Sequence, residues 1–515
     1  MKLVTVAQMQ EIEKEADANG LPYAEMMENA GRGLAEVVND VAFDDEWEGV
    51  LALVGPGNNG GDALVALAHL AEEGWQARAY LVNRKRDDKL TKRLLAAGGE
   101  VAYAEKDADF SILQEYFDSA DVLLDGLLGT GTKLPLKEGI ASILEESFAI
   151  MDEMDEPPYI IAVDCPSGID CDSGEAALES IPADLTVTMA AVKQGLLKLP
   201  AFEFVGDLAL VDIGLPDDFA SFNDLKTEVA DFDLVSGLLP ERALDSHKGT
   251  FGTALIAAGS LNYTGAALLS ATAAYRSGAG LVTLAVPEPL HAALAGQLPE
   301  ATWVLLPHES GFISVKAFDM LPNYLQRATA FLLGPGLGNN ISTSGFVERV
   351  VSRVKLPMVV DADGLRYLAQ IQDWHRKLSP HAVLTPHPGE MSALTGLSRE
   401  EIQGNREQIA LKYAKEWGHV VLLKGAFTVI AAPDGRMTII PVASPALSRA
   451  GTGDVLAGLV VGFRAQGLDA YDAAVAGAYI HAEAGLLAAE DLGSTASVLA
   501  GDVLDSILDV MSELE

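Results

Sequence analysis

Short apolar runs recur along this chain, and most end on a cluster of Gly, Asp, Asn, Ser or Thr. Examples are VLALV (50–54), ARAYLV (77–82), VLLDGLL (122–128) and YIIAVD (159–164). Helical segments rich in Ala, Leu and Glu, such as 62–73 and 139–149, separate them. A run without apolar–polar alternation cannot be a half-exposed strand. It belongs in a parallel sheet with helices on both faces. Such sheets bind ligands outside the carboxyl ends of their strands, where the polar clusters lie. A second series begins after the weakly patterned, acidic stretch 215–233. Its strands are expected at 253–259, 281–286, 330–336, 357–363, 382–388 and 420–425, and Ala-rich helices follow Asp454. The chain therefore reads as α/β with two domains, 1–225 and 226–515. A length of 515 residues accommodates that division.

Charge narrows the partners. Asp and Glu number 74 against 35 Lys and Arg, a formal −39. Such a field repels phosphate backbones and anionic lipid, so neither nucleic acid nor a membrane surface is expected as a partner. The uncharged stretch 250–275 is interrupted by Gly259, Ser260, Asn262 and Thr264 and is not a membrane span. The opening residues lack the apolar run of a signal peptide. Cys165 and Cys171 cannot build a disulfide framework or a four-ligand zinc site. They read as free thiols of a reducing, cytoplasmic compartment.

In LALVGPGNNGGDALVALAHLAEEG (51–74) a strand, a Gly-rich turn and a helix follow one another. Gly55, Gly57 and Gly60 fit G-x-G-x-x-G, in which the backbone approaches a phosphate and the helix start favours an anion. The acid of a complete dinucleotide fingerprint, about twenty residues on, is replaced by Asn83, Arg84, Lys85 and Arg86. The glycines alone would also suit a plain tight turn. The run Asn58-Asn59-Gly60-Gly61-Asp62 adds oxygen donors suited to a hard cation. Asp125 ends a second strand before Gly129-Thr130-Gly131-Thr132, and Asp164 ends a third before Ser167 and Gly168. One such Asp would read as a helix cap, but three at three strand ends converge on one crevice.

In the second series Gly451-Thr452-Gly453-Asp454 opens an apolar helix. Its N–H groups form an anion hole. An acid there can deprotonate a hydroxyl while the hole holds a transferring phosphoryl group. The alternative is an Asp cap. Further polar strand ends carry Gly259-Ser260, Gly334–Asn340, Asp361 with Asp363, and His387 with Glu390 on a proline-rigidified turn. Lys424 ends VVLLKG and could neutralise nucleotide phosphates, or be an ordinary strand-end lysine. A hairpin with a PDG turn follows it.

MENAGRG (27–33), GPGNNGGD (55–62), DGLLGTG (125–131) and AVDCPSGID (162–170) resemble the YjeF N-terminal family, the NAD(P)H-hydrate epimerases, over about residues 1–215. GSLNYTGAA, GPGLG, DADGL, TPHPGE and AGTGDVLAG resemble the YjeF C-terminal family, the NAD(P)H-hydrate dehydratases, from about Leu239 to Leu508. The first resemblance implies a Rossmann-like three-layer sandwich and the second a ribokinase-like α/β fold. For the first domain it further implies hydrate binding by Asn58, Asn59, Gly60, Gly61 and Asp62 and by the loop Gly129, Thr130, Gly131, Thr132, Lys133, Leu134 and Pro135. Asp164 matches a position of acid/base chemistry or substrate contact, Lys193 a basic position near the site, and Asn59, Asp125 and Ser167 a potassium site. For the second domain it implies adenine nucleotide along Lys424, Gly425, Ala426, Phe427 and Thr428, reaching Gly453. The hydrate lies near Ala266, Gly338 and His387, with its hydroxyl facing Asp454.

The resemblance thus implies a bifunctional enzyme. It would interconvert the R and S hydrates and dehydrate the S form with ADP, releasing AMP and phosphate. Magnesium would bridge the nucleotide phosphates, and a homo-oligomer is expected. The competing readings are a ribokinase-like kinase for a small alcohol, such as a vitamin precursor, and an N-terminal domain that binds a nucleotide without catalysis.

Overall fold

Seven apolar runs of the first series pair in one sheet because their backbone groups have nowhere else to bond once both faces are covered. They are β1 (Gly49–Val54), β2 (Gln76–Leu81), β3 (Glu100–Tyr103), β4 (Val122–Gly126), β5 (Tyr159–Val163), β6 (Leu185–Met189) and β7 (Asp207–Val211). The order is β3-β2-β1-β4-β5-β6-β7, and every pairing is parallel. The computed structural model describes residues 1–43 and 47–515, in two compact units, Met1–Leu225 and Lys226–Glu515.

In the first unit Val50, Ala52 and Val54 of β1 face a core shared with the helices Val6–Ala18, Tyr23–Val41 and Asn58–Glu73. Leu51 and Leu53 face the opposite core, with Ser111–Phe117 and Glu138–Asp152. Gly31 lets two of these helices touch: a Cβ there would lie 2.4 Å from Cβ of Val65. The chain start is tied in as well. Leu3–Val4 pairs in parallel with Val192–Lys193 and leads into Val6–Ala18, whose N-cap Thr5 forms a capping box with Gln8. Strand order reverses between β1 and β4, so the loops after Val54 and Gly126 splay apart and open a crevice.

The main sheet of the second unit has ten strands: β8 (Thr227–Val229), β9 (Thr253–Ala257), β10 (Leu281–Pro287), β11 (Thr302–Leu306), β12 (Ala330–Leu333), β13 (Met358–Val360), β14 (Val383–Leu384), β15 (Val420–Leu423), β16 (Val429–Ala431) and β17 (Met437–Ile439). Their order is β8-β17-β16-β15-β14-β13-β12-β9-β10-β11. Pairing is antiparallel only across β15–β16 and β16–β17, the latter turning at Pro433-Asp434-Gly435. The switch point falls between β9 and β12. There the Gly259 N–H donates to Pro335 O and the Ser260 hydroxyl to Gly336 O, at 2.8 Å each. The expected strand 382–388 shrinks to β14, because Pro386 and Pro388 have no N–H to extend the ladder. The helix Thr452–Gln466 is apolar nearly all round and buried accordingly. Among the described residues no helix is long and apolar enough to cross a membrane.

Candidate functional site

The three polar strand ends of the first unit meet. Asp125, at the end of β4, is 1% exposed. It accepts from the Ser167 N–H at 2.7 Å and the Ser167 hydroxyl at 2.5 Å, and that hydroxyl accepts from the Leu128 N–H at 2.9 Å. The Asn59 amide donates to Leu128 O at 3.1 Å and Val163 O at 2.5 Å. Asn59, Asp125 and Ser167 are thus linked through the backbone of Leu128. Asp125 has no cationic partner among the described residues, and burial pushes its carboxyl up against the Ser167 bonds. A buried carboxylate without a counter-charge is costly, and the side chains grouped with it, Asn59 and Ser167, offer oxygen ligands. That set fits a hard monovalent cation. The Asn58–Asp62 and Gly129–Pro135 segments adjoin, since a Cβ on Gly129 would lie 2.2 Å from Oδ1 of Asn59. Asn58, Gly131, Lys133 and Pro135 are exposed, and Gly129, Thr130, Thr132 and Leu134 half-buried. Gly60, Gly61 and Asp62 are buried.

Asp164 follows β5 with φ 64°, a left-handed conformation costly for a residue with a Cβ. The strain aims its carboxylate at the Met189 N–H, 2.9 Å away, and at the Lys193 ammonium. Lys193 is 1% exposed. Its three protons go to Asp164, to Thr188 Oγ1 at 3.1 Å and to Met189 O at 3.0 Å. With every donor taken, it holds Asp164 in place. Arg84, where a ribose-binding acid would stand, instead braces the glycine turn. It donates to Gly55 O at 2.9 Å and pairs with Asp88 at 3.1 Å. Cys165 and Cys171 are free and buried, and their mutual hydrogen bond and burial hold the Cys165 thiol well above its usual range.

In the second unit β13, β14 and β15 deliver Asp361, His387 and Lys424 to one edge. Asp361, 1% exposed, takes the Thr385 hydroxyl at 2.7 Å and the Lys424 ammonium at 2.6 Å. Burial works against that ammonium, but Asp361 and Glu390 raise it, so it stays charged. Gly453 lies beside it: a Cβ there would be 3.5 Å from Nζ. Asp454 stands in the first turn of the buried helix. Burial, then the charge of Asp361, push its carboxyl up to about 7 despite Lys424. A base with that value is half ionised near neutral pH, where proton transfer is most efficient.

His387 caps the helix Pro388–Thr395. Its Nδ1 accepts from the Gly389 N–H at 2.9 Å, and Nε2 lies 3.3 Å from Glu390. Burial and the cations Lys424 and Arg366 lower its pKa to about 4, so the ring is neutral. Ala266 and Gly338 lie on the same side, Ala266 against Gly336 and the Gly338 N–H bonded to Asp363 at 2.8 Å. Lys424, Gly425, Ala426, Thr428 and Gly453 line one cavity with Thr452 and His481. Phe427 does not line it; its N–H donates to Val442 O.

Three groups escaped sequence reasoning. Arg406 supports Gly425 from below and donates to Leu423 O at 2.9 Å. His481 lies in the cavity wall, and its buried Nε2 has no hydrogen-bond partner among the described residues. Glu13, on the first helix, feels Asp164 and Lys193. None of the three carried a local signal, since each is brought to its site by contacts distant in the chain.

A crevice at a sheet switch point with a hard-cation donor set, carried on one chain with a second α/β unit that has a phosphate-type helix start and an Asp base, defines a two-domain enzyme of phosphorylated small molecules. The family described as YjeF-related protein N-terminus matches residues 23–195, and the NAD(P)H-hydrate dehydratase family matches residues 254–508. The bifunctional NAD(P)H-hydrate repair enzyme Nnr of Moorella thermoacetica is 36% identical over 100% of this chain and 97% of that protein. Its counterpart in Salinibacter ruber is 38% identical over 96% and 93%. A solved structure, the ADP/ATP-dependent NAD(P)H-hydrate dehydratase from Bacillus subtilis co-crystallized with ATP/Mg2+, is 33% identical. It covers 56% of this chain and 99% of that one, with a TM-score of 0.49. The chain belongs to the family of bifunctional NAD(P)H-hydrate repair enzymes.

Proposed function

We propose that residues 1–225 interconvert R- and S-NAD(P)HX and that residues 226–515 dehydrate the S form with ADP. The observation that carries the second half is Asp454, a carboxyl pushed up to about 7 one residue beyond Gly453 and the Lys424 ammonium. Water added across C5–C6 of the nicotinamide ring leaves a hydroxyl at C6, a poor leaving group. Asp454 takes the hydroxyl proton as that oxygen attacks the terminal phosphorus of ADP, and AMP departs. The helix-start N–H groups and Lys424 meet the charge on the transferring group. Phosphate then leaves C6, C5 loses a proton, and the ring double bond returns. The neutral His387 ring and the backbone near Ala266 and Gly338 orient the hydrate.

Among the described residues no group of three or more His, Cys, Asp or Glu is assembled to hold a metal. Mg2+ would therefore be held chiefly by nucleotide phosphates, neutralising their charge. In the first unit Asn59, Asp125 and Ser167 would hold K+, whose charge offsets that of Asp125 and fixes the adjoining 129–135 loop. Asp164, held by Lys193, faces the reacting carbon. The test is an absorbance assay: pure S-hydrate with ADP and Mg2+ should yield NADH at its usual band. R-hydrate should do so only through prior epimerisation. No NADH from S-hydrate would defeat the reading.

A further inference from the structure

Moving a hydroxyl from one face of C6 to the other needs a proton donor for the departing oxygen and an acceptor for the arriving one. Asp164 has its place fixed by Lys193 and the Met189 N–H. The donor has to come from elsewhere. Asp62 is 7% exposed, yet its carboxyl makes no hydrogen bond or ion pair among the described residues. It stands near the start of the helix Asn58–Glu73 that follows β1, at the same carboxyl end of the sheet at which Asp164 follows β5. Glu13 is half-buried and also unpartnered, and it reaches the site because Val4 pairs with Lys193 and starts the helix that carries it.

We propose that Asp62 is the acid of the epimerase centre, facing the Asp164–Lys193 pair across C6, and that Glu13 is the positioning residue that keeps the proton on it. This rests on the epimerase reading above. Burial first, then the charges of Asp164 and Glu13, hold the Asp62 carboxyl well above the usual range, against Lys193 and Arg84. Other charges nearby are spent. Arg84 is paired with Asp88, and Glu28 on the adjoining helix is taken by Arg93 at 2.5 Å and His69 at 2.9 Å. Glu13 itself is raised by burial and Asp164. Three carboxyls on three elements around one ammonium cannot all ionise, so the cluster retains a proton. Two carboxyls with environments this different divide into an acid and a base.

The step balances. The C6–O bond breaks, the oxygen takes the proton of Asp62 and leaves as water, and the N1 lone pair forms N1=C6. A water then bonds to C6 on the other face, the N1=C6 pair returns to N1, and Asp164 takes the water's proton. One proton has passed from Asp62 to Asp164; solvent water then returns a proton to Asp62 and takes one from Asp164, so the next R-hydrate meets the same protonation state.

The test uses the full chain at saturating K+, with R-hydrate, no nucleotide, and H2(18)O. Conversion to S is followed by chromatography across pH. Wild type should convert with label at C6. Asp62→Asn should lose about 10²–10⁴ of that rate while dehydrating S-hydrate with ADP normally, which also reports correct folding. Glu13→Gln removes a negative neighbour, so Asp62 loses its proton at lower pH. The upper pH limb should move down by roughly half a unit to one unit. An Asp62→Asn variant within about threefold of wild type, an unmoved limb in Glu13→Gln, or unlabelled product would each overturn the proposal. A wild type that does not epimerise at all would overturn the underlying reading with it.

Discussion

Replacing Asp454 by Asn keeps the shape of the side chain and removes both its charge and its ability to take a proton. The rate cost is that of a general base, about 10²–10⁴, or roughly 3–5.5 kcal/mol of transition-state stabilisation. With the wild-type carboxyl at about 7, dehydration should climb tenfold per pH unit below neutrality and level off above it. The variant should lack that limb. Stability should move the other way. The folded carboxyl titrates near 7 and an unfolded Asp near 3.9. Between about pH 4 and 7 the folded state therefore binds the extra proton, and this group's stabilising contribution falls by up to about 1.4 kcal/mol per pH unit as pH rises. The amide carries no such penalty, so Asp454→Asn should melt higher than wild type at pH 8 and close to it at about pH 4. NADH formation from S-hydrate and ADP gives the rate, and calorimetry at the two pH values gives the stability. Near-wild-type turnover, or a variant less stable at pH 8, would refute the assignment of a desolvated base.

Asp125→Ala removes the only formal negative charge among Asn59, Asp125 and Ser167. Potassium activation of R-to-S conversion should be lost while dehydration of pure S-hydrate is untouched, as a K+ titration of both reactions will show. Lys424→Met leaves Asp361 buried without its ammonium, which should cost about 3–5 kcal/mol in denaturant unfolding and raise the KM for ADP. A variant as stable as wild type would mean that Asp361 has another partner. ADP should turn over faster than ATP in the full-length enzyme, measured as initial rates with S-hydrate and Mg2+.

The parallel-sheet architecture was legible because burial on both faces writes itself directly into sequence as runs like those of β1 and β4. The strand-end motifs were legible for a related reason. A phosphate-compatible turn needs glycines close together in the chain, and both Gly55–Gly61 and Gly451–Asp454 are local. Family resemblance, not local pattern, implied nucleotide along Lys424–Thr428; of these, Phe427, with its left-handed backbone, does not line the cavity that the other four share with Gly453. What no local pattern could supply was pairing. Lys193 read as a basic residue near a site, but three acceptors from the β6 end and Asp164 consume its donors. Lys424 read as a phosphate ligand, but it also neutralises Asp361 from another strand. Glu13 carried no local signal, and only the pairing of Val4 with Lys193 brings its helix near the Asp164–Lys193 pair. Hydrophobic period and turn chemistry act between neighbours in sequence, so the chain alone determines them. The protonation of Asp62 and Asp454 depends on desolvation and on charges from distant strands, and only the tertiary structure brings those within range of one another.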